Sequence, residues 1–430
     1  MSPKDRLKLM YRRTLLPAIR SGATPCFRFA VKMAARTGLL PQAANLAGDR
    51  PEHFTIIHLS NHVGDTVMLL PMIEALRAAH PRALIECVVQ APIATFLGLI
   101  PSLDHVHEID VGHGPTTTPW LELQRTLSIL RSYWQSMRRV RPTTCIVPRW
   151  GSGFRDLMLS YLLQAPNRIG FASSDFDQSR PPAGYRDTLL TCRVRGAQGM
   201  TEPARFLFLL EKAGLIPPTD PRAIGSRPNA SILHIASTVD WPALAARLGV
   251  DPDARLAVLA PGASAPRRMW PIDRWAAAMD ELFVSGFTVA LLAGGSDAHV
   301  ARQLYDLTPV SRRSQTALVA GITNLQESTC LIAQSQLFMG NDSGPGHIAG
   351  ALCVPCVILF IAAEGADPDG PSAPERVRPM GKRVVCCRPK RTIAPCSGYC
   401  TADCPHCILQ IEPDEIRHAI RSLMHTPAHV

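Results

Sequence analysis

One pattern dominates this sequence, and it occurs twice. From residue 53 onward, short β-branched runs alternate with stretches of helical periodicity: HFTIIHLS (53–60), a helix over Thr66–Ala79, ALIECVVQ (83–90), helices near 92–99 and 119–139, TTCIVPR (143–149) and a helix near 155–164. Residues 214–253 break the rhythm, crowding prolines and turn formers in GLIPPTDPRAIGSRP and GVDPDA. It restarts with ARLAVLAP (254–261), FTVALLAG (287–294), LFMGND (337–342) and PCVILF (355–360), separated by helices over Asp273–Val284, Asp297–Leu307 and Leu325–Gln334. Apolar strands alternating with helices specify parallel sheets covered on both faces. The expected class is α/β, with two Rossmann-like doubly wound domains and a cleft between them, ligands binding beyond the carboxyl ends of the strands. The expected organisation is a basic N-terminal extension (1–50), a first domain (51–213), a connection (214–253), a second domain (254–380), and a cysteine-rich segment with a terminal helix (381–430).

Composition excludes several classes. With 46% hydrophobic and 19% charged residues, the chain has material for packed cores and too little charge for disorder. No apolar run approaches the ~18–20 residues that cross a bilayer, and no secretory leader is evident. The 13 cysteines are odd in number and scattered, which fits a reducing compartment; the expected location is cytoplasmic. Of the net charge of +10, most lies in residues 1–40, where nine basic residues face Asp5 alone. Leu7, Met10, Tyr11, Leu15, Leu16 and Ile19 add an apolar stripe near helical spacing. That helix either lies on an anionic membrane surface or packs, solvated, on the body. No nucleic-acid signature appears, so nucleic acid is not an expected partner.

Four strand-to-helix junctions have the residues for chemistry. In Asn61–Thr66, Asp65 is either an N-cap or a carboxylate kept ionised at a helix start, where it serves as a general base. In Pro261–Pro271, small residues let backbone amides approach an anion, while Ser264 and the arginines Arg267 and Arg268 suit phosphate; no Gly-Lys-Ser/Thr follows, so the loop is not a P-loop. In Gly294–Asp297, Asp297 either approaches a ribose or caps a helix. In Asn341–His347, the glycines, Ser343 and a helix N-terminus make a diphosphate cradle to which His347 adds a donor; the plain alternative is a capped glycine turn. Arg149, Trp150 and Arg155 follow a strand end and either meet an anionic acceptor or begin an ordinary surface helix.

These motifs together resemble glycosyltransferase family 9, the ADP-heptose:lipopolysaccharide heptosyltransferases and their relatives. The resemblance rests on GDTVMLLPMIEAL, PGAS…WPIDRWAAAMDEL, VALLAGGSD and NDSGPGHIAGALCVPCVILF, in the family's order over about residues 54–360. It implies a GT-B architecture with two facing Rossmann-like domains. It implies a nucleotide-diphosphate sugar donor, held by the second domain, and a glycan or lipid-linked glycan acceptor such as lipopolysaccharide core, held by the first. It also implies inversion at the anomeric carbon without a catalytic cofactor. By the same resemblance Asp65 matches the general base, Ser264 and Arg268 the phosphate loop, Asp297 the ribose-side acid, and Asp342, Ser343, Gly344 and His347 the donor turn. Arg268 stands where many members have lysine, and Ala263 where some have a hydroxyl.

Six of the cysteines fall within residues 386–407. Cys396, Cys400, Cys404 and Cys407 have spacings that allow a structural zinc or iron, with His406 as a substitute ligand; disulfides or free thiols are the alternatives. The competing functions are a sugar-nucleotide epimerase or hydrolase of the same architecture, a protein-modifying heptosyltransferase, and a metal-binding adaptor at the membrane surface.

Overall fold

The computed structural model describes residues 52–111, 119–137, 139–150, 154–175, 184–397 and 399–425. The basic extension, with its expected helix and membrane contact, lies outside them. The chain forms two compact units: one of residues up to Asn61 with Met72–Gln198 and Arg205–Thr219, the other of His62–Pro71, Gly199–Ala204 and Asp220–Val430.

The first unit is built on strands β1 (His53–Ile57), β2 (Leu84–Val89), β3 (His105–Glu108), β4 (Thr144–Val147), β5 (Asn167–Phe171) and β6 (Cys192–Val194), in the order β3-β2-β1-β4-β5-β6. The second is built on β7 (Leu256–Ala260), β8 (Thr288–Leu291), β9 (Thr316–Leu318), β10 (Leu337–Asn341), β11 (Cys356–Leu359) and β12 (Val384–Cys387), in the order β12-β11-β10-β7-β8-β9. Every pairing is parallel, with Phe54 opposite Ile85 and Thr144 and with Ala257 opposite Leu337 and Val289. The two sheets share one topology. In each the first strand lies beside the fourth, and there the winding reverses. A ligand-binding crevice opens at such a reversal, beyond the carboxyl ends of the two strands.

The helices in chain order are α1 (Val63–Ala79), α2 (Ala91–Leu97), α3 (Pro119–Ser132), α4 (Phe154–Leu162), α5 (Gly184–Leu189) and α6 (Glu202–Lys212). They continue with α7 (Ala230–Ser237), α8 (Trp241–Leu248), α9 (Ile272–Val284), α10 (Ala298–Leu307), α11 (Leu325–Ala333), α12 (Gly344–Ala351), α13 (Pro374–Val377) and α14 (Pro413–His425). The proline-rich stretch before β7 contains α7 and α8, each N-capped by a side chain: Asn229 accepts from Ile232 N and Asp240 from Ala243 N. Both helices belong to the second unit, and Arg247 of α8 pairs with Glu327 of α11 at 2.5 Å. The terminal helix α14 buries Ile416, Ala419, Ile420 and Leu423, and Arg421 makes a two-pronged bond to Glu281 of α9 at 2.8 and 2.6 Å.

The core of the second unit runs through the fully buried strands β7, β10 and β11, with Trp270 and Trp275 edge-on at 5.5 Å. In the first unit Ile57, Val88, Tyr133, Val147 and Leu159 are among its buried centre. Four of the five strands without a counterpart in the sequence reading, β3, β6, β9 and β12, are sheet edges of three or four residues; the fifth, β5, begins with the polar pair Asn167-Arg168.

Candidate active site

At the winding reversal of the second sheet, β7 ends at Ala260 and β10 at Asn341. The residues that follow are the Pro261–Ser264 loop and the Asp342–His347 turn. Asn341 joins the two. It is fully buried, and its Nδ2 donates to Pro261 O at 2.6 Å and Gly262 O at 3.4 Å, while Oδ1 accepts from Trp270 N at 3.3 Å. The motif containing Asn341 was legible in the sequence, but this clamping role was not. Its signal is a polar side chain closing an otherwise apolar strand.

Arg268 reaches from the loop to the turn. Its Nη1 lies 3.4 Å from Asp342 Oδ2, and its Nη2 donates to Ser372 Oγ at 2.9 Å. Ser372 is buried and was not foreseen. The other carboxylate oxygen of Asp342 lies 3.7 Å from His347 Nε2. Asp342 thus lies between the guanidinium and the imidazole. Ser264 is exposed at the loop's rim.

Asp297 does not cap α10 with its side chain. Its carboxylate lies over Gly262 instead: a Cβ at that glycine would stand 2.6 Å from Asp297 Oδ2, so a larger residue at 262 would have to displace Asp297. This brings the acidic residue to the mouth of the loop that carries Ser264.

Helix α12 begins at Gly344, with Ser343 at its N-cap. Ser343 makes no side-chain cap bond. Its Oγ is a buried polar atom without a hydrogen-bond partner among the described residues, and so is Nδ1 of His347. Each such atom costs about 1–3 kcal/mol when left unsatisfied. Two of them beside a helix N-terminus, whose dipole favours negative charge, are the marks of an anion site.

Asp65 also differs from its plain reading as an N-cap. Helix α1 starts at Val63, so Asp65 is its third residue and half-buried. Residues His62–Pro71 pack with the second unit. Gly64 lies against His347 so closely that a Cβ would stand 2.6 Å from the ring's Cδ2. Asp65 therefore follows directly a residue in contact with the donor-turn imidazole. The expected base and the expected donor turn share one compact unit.

The candidates after β4 divide. Arg149 is exposed, while Trp150 is buried, edge-on to Phe171 at 5.1 Å and under the Arg205 guanidinium at 4.4 Å. Trp150 is packed as core rather than presented to an acceptor. Arg155 is half-buried.

Near the C-terminus, Cys396, Cys400, Cys407 and His406 bring their ligand atoms within 4.8 Å of one another. Cys404, expected among the ligands, is exposed and outside this group, and His406 takes its place. The described cysteines are free thiols. Burial raises the Cys396 thiol, but hydrogen bonds from Thr401 N and Oγ1 and from the neighbouring thiols outweigh it and bring it to about 7. The four side chains have the chemistry of a metal-binding group.

Two doubly wound parallel sheets with helices define an α/β protein of the GT-B class. Residues 228–404 match the family model of glycosyltransferase family 9 (heptosyltransferase). A lipopolysaccharide heptosyltransferase 2 of Salmonella typhimurium is 22% identical over 387 residues, covering 84% of this chain and 96% of that protein. Among solved structures, the E. coli ADP-heptose lps heptosyltransferase II superposes with a TM-score of 0.61 at 19% identity, over 87% of this chain and 98% of that one. A family 9 glycosyl transferase from Veillonella parvula gives 0.64 at 16% identity, over 88% and 99%. Over residues 228–404 the chain is similar to glycosyltransferase family 9, and the enzyme class is that of a glycosyltransferase.

Proposed function

We propose that this chain transfers a heptose from an ADP-linked donor to a hydroxyl of the lipopolysaccharide core, with inversion at the anomeric carbon. One observation carries the reading most: Ser343 Oγ and His347 Nδ1, buried and unpartnered at the N-terminus of α12, beside an arginine held by Asp342. A diphosphate satisfies both atoms and the helix dipole together. The sugar and the acceptor follow the similar lipopolysaccharide heptosyltransferases.

In this reading Asp65 takes the proton from the acceptor hydroxyl as its oxygen bonds to the anomeric carbon. The bond from that carbon to the diphosphate oxygen breaks, and the departing diphosphate gains negative charge. Arg268, Ser264, Ser343 and the start of α12 stabilise that charge, so the transfer needs no catalytic cofactor. Asp342 lies between Arg268 and His347, and Asp297, packed against Gly262, is the acid for a ribose hydroxyl. The scattered, odd-numbered cysteines fit a reducing compartment, and with it the cytoplasmic side. The basic extension would bring the enzyme to the inner membrane surface that holds a lipid-linked acceptor.

Product analysis tests this. Incubated with ADP-heptose and a heptose-deficient core acceptor, the protein is expected to release ADP in step with acceptor glycosylation. Donor isomerised or hydrolysed without transfer would instead support the epimerase or hydrolase reading, and transfer to a polypeptide the protein-modifying one. An untouched donor would leave only the adaptor.

A further inference from the structure

We infer that Cys396, Cys400, His406 and Cys407 form a tetrahedral zinc site that braces the phosphate loop, residues 261–270, from behind. The geometry is that of a tetrahedron's edges. With metal–sulfur bonds of about 2.3 Å and a metal–nitrogen bond of about 2.0 Å, ligand separations come to about 3.8 Å between sulfurs and about 3.5 Å from sulfur to nitrogen. Cys396 Sγ and Cys400 Sγ lie 3.9 Å apart, and His406 Nδ1 lies 3.5 Å from both Cys396 Sγ and Cys407 Sγ. These spacings are too wide for a disulfide and suit a shared ion. All three cysteines are buried, which protects a thiolate site from solvent. Thr401 N and Oγ1 point at Cys396 Sγ from 3.4 and 3.8 Å, the outer hydrogen bonds that thiolate ligands take.

The brace follows from what the last ligand continues into. Cys407 opens a tight 3-10 turn, Cys407–Gln410. From this turn and the residue after it, carbonyl groups hold the far side of the loop. Trp270 Nε1 donates to Ile411 O at 2.9 Å, and Arg274 Nη1 donates to Leu409 O and Ile411 O, both at 2.7 Å. The backbone N of Trp270 in turn donates to Asn341, the clamp of the phosphate junction. The three cysteines share one core with Trp270, Ile408 and Ile411. The ion therefore fixes a turn, the turn fixes an indole, and the indole fixes the loop carrying Ser264 and Arg268. This inference does not depend on which sugar or acceptor is used.

The experiment uses the full chain, and its readouts are metal content and hydrogen exchange rather than activity. Protein purified with both zinc and iron supplied is expected to carry about one zinc per chain; Cys407→Ala should lose it and Cys404→Ala keep it. Cobalt exchanged into the site should show the intense bands of tetrahedral thiolate ligation. Chelation should speed amide exchange over residues 261–270 and 407–411 while leaving β1 unchanged. No bound metal, iron in place of zinc, or metal lost in Cys404→Ala would overturn the site as assigned. Unchanged exchange over 261–270 after metal removal, or a rise as large in β1, would overturn the brace.

Discussion

The two sheets have the same strand order and opposite endings. At the reversal of the second sheet a buried asparagine ties two small-residue loops together, and buried polar atoms stand without partners. At the reversal of the first, the chain leaving β4 turns Trp150 inward against Arg205, whose Nε donates to Ala197 O at 2.9 Å. The loop after β4 uses an aromatic ring and a cation on each other, whereas the turn after β10 leaves Ser343 Oγ and His347 Nδ1 without a hydrogen-bond partner among the described residues. Equal topology provides two crevices, but the side chains at the strand ends differ between them. The first unit's own conspicuous polar cluster lies elsewhere. Glu86 of β2 is buried between His53 Nε2 at 2.7 Å and His107 Nε2 at 3.3 Å.

The comparison can be pressed hardest at Asp65. Asp65→Asn should lower turnover by about 10²–10⁴-fold, the usual worth of a general base, while ADP binding measured by calorimetry stays within about twofold. Turnover close to wild type would remove the carboxylate from the chemistry and leave the second unit a binding lobe alone.

Next in size is an effect confined to the first unit. Burial would raise the Glu86 carboxyl, but hydrogen bonds from His107 and His53 and their charge outweigh it and hold it at about 2, below its ordinary 4.5. A depressed carboxylate contributes its stability in full above 4.5 and loses it as pH falls toward 2. Acid unfolding followed by circular dichroism should therefore show a loss of about 3 kcal/mol across that window. Glu86→Gln should flatten this limb without changing donor affinity at neutral pH; an unaltered acid limb would show the cluster contributes nothing.

Smaller again, Arg268→Ala should weaken ADP binding by about 10- to 100-fold, the worth of a hydrogen bond or two from a charged donor, and leave the acid limb of the first unit as it was. Arg268→Lys should recover part of the affinity, since it keeps the charge and loses the fork that reaches Ser372. Equal binding by all three proteins would place the diphosphate away from this loop.

What the sequence determined by itself was the class of fold and the order of its junctions. The central strands are continuous apolar runs because both faces are covered, and such runs are visible without coordinates. The edge strands β3, β6, β9 and β12 were not legible, since three or four residues with one exposed side carry little pattern. The motifs containing Asp65, Arg268, Asp297 and His347 could be read from residue type and from resemblance. Their partners could not: Asn341 bonds loops about eighty residues away, Asp342 takes an arginine and a histidine at once, and Gly64 rests on His347 from the far end of the chain. The cysteine spacing suggested four sulfurs with His406 as a substitute, and only the packed chain turns Cys404 out and His406 in. Local pattern records which face of a strand or helix is buried, because burial is periodic along the chain. Which polar group meets which is set by distances through space, and those exist only once the chain has closed on itself.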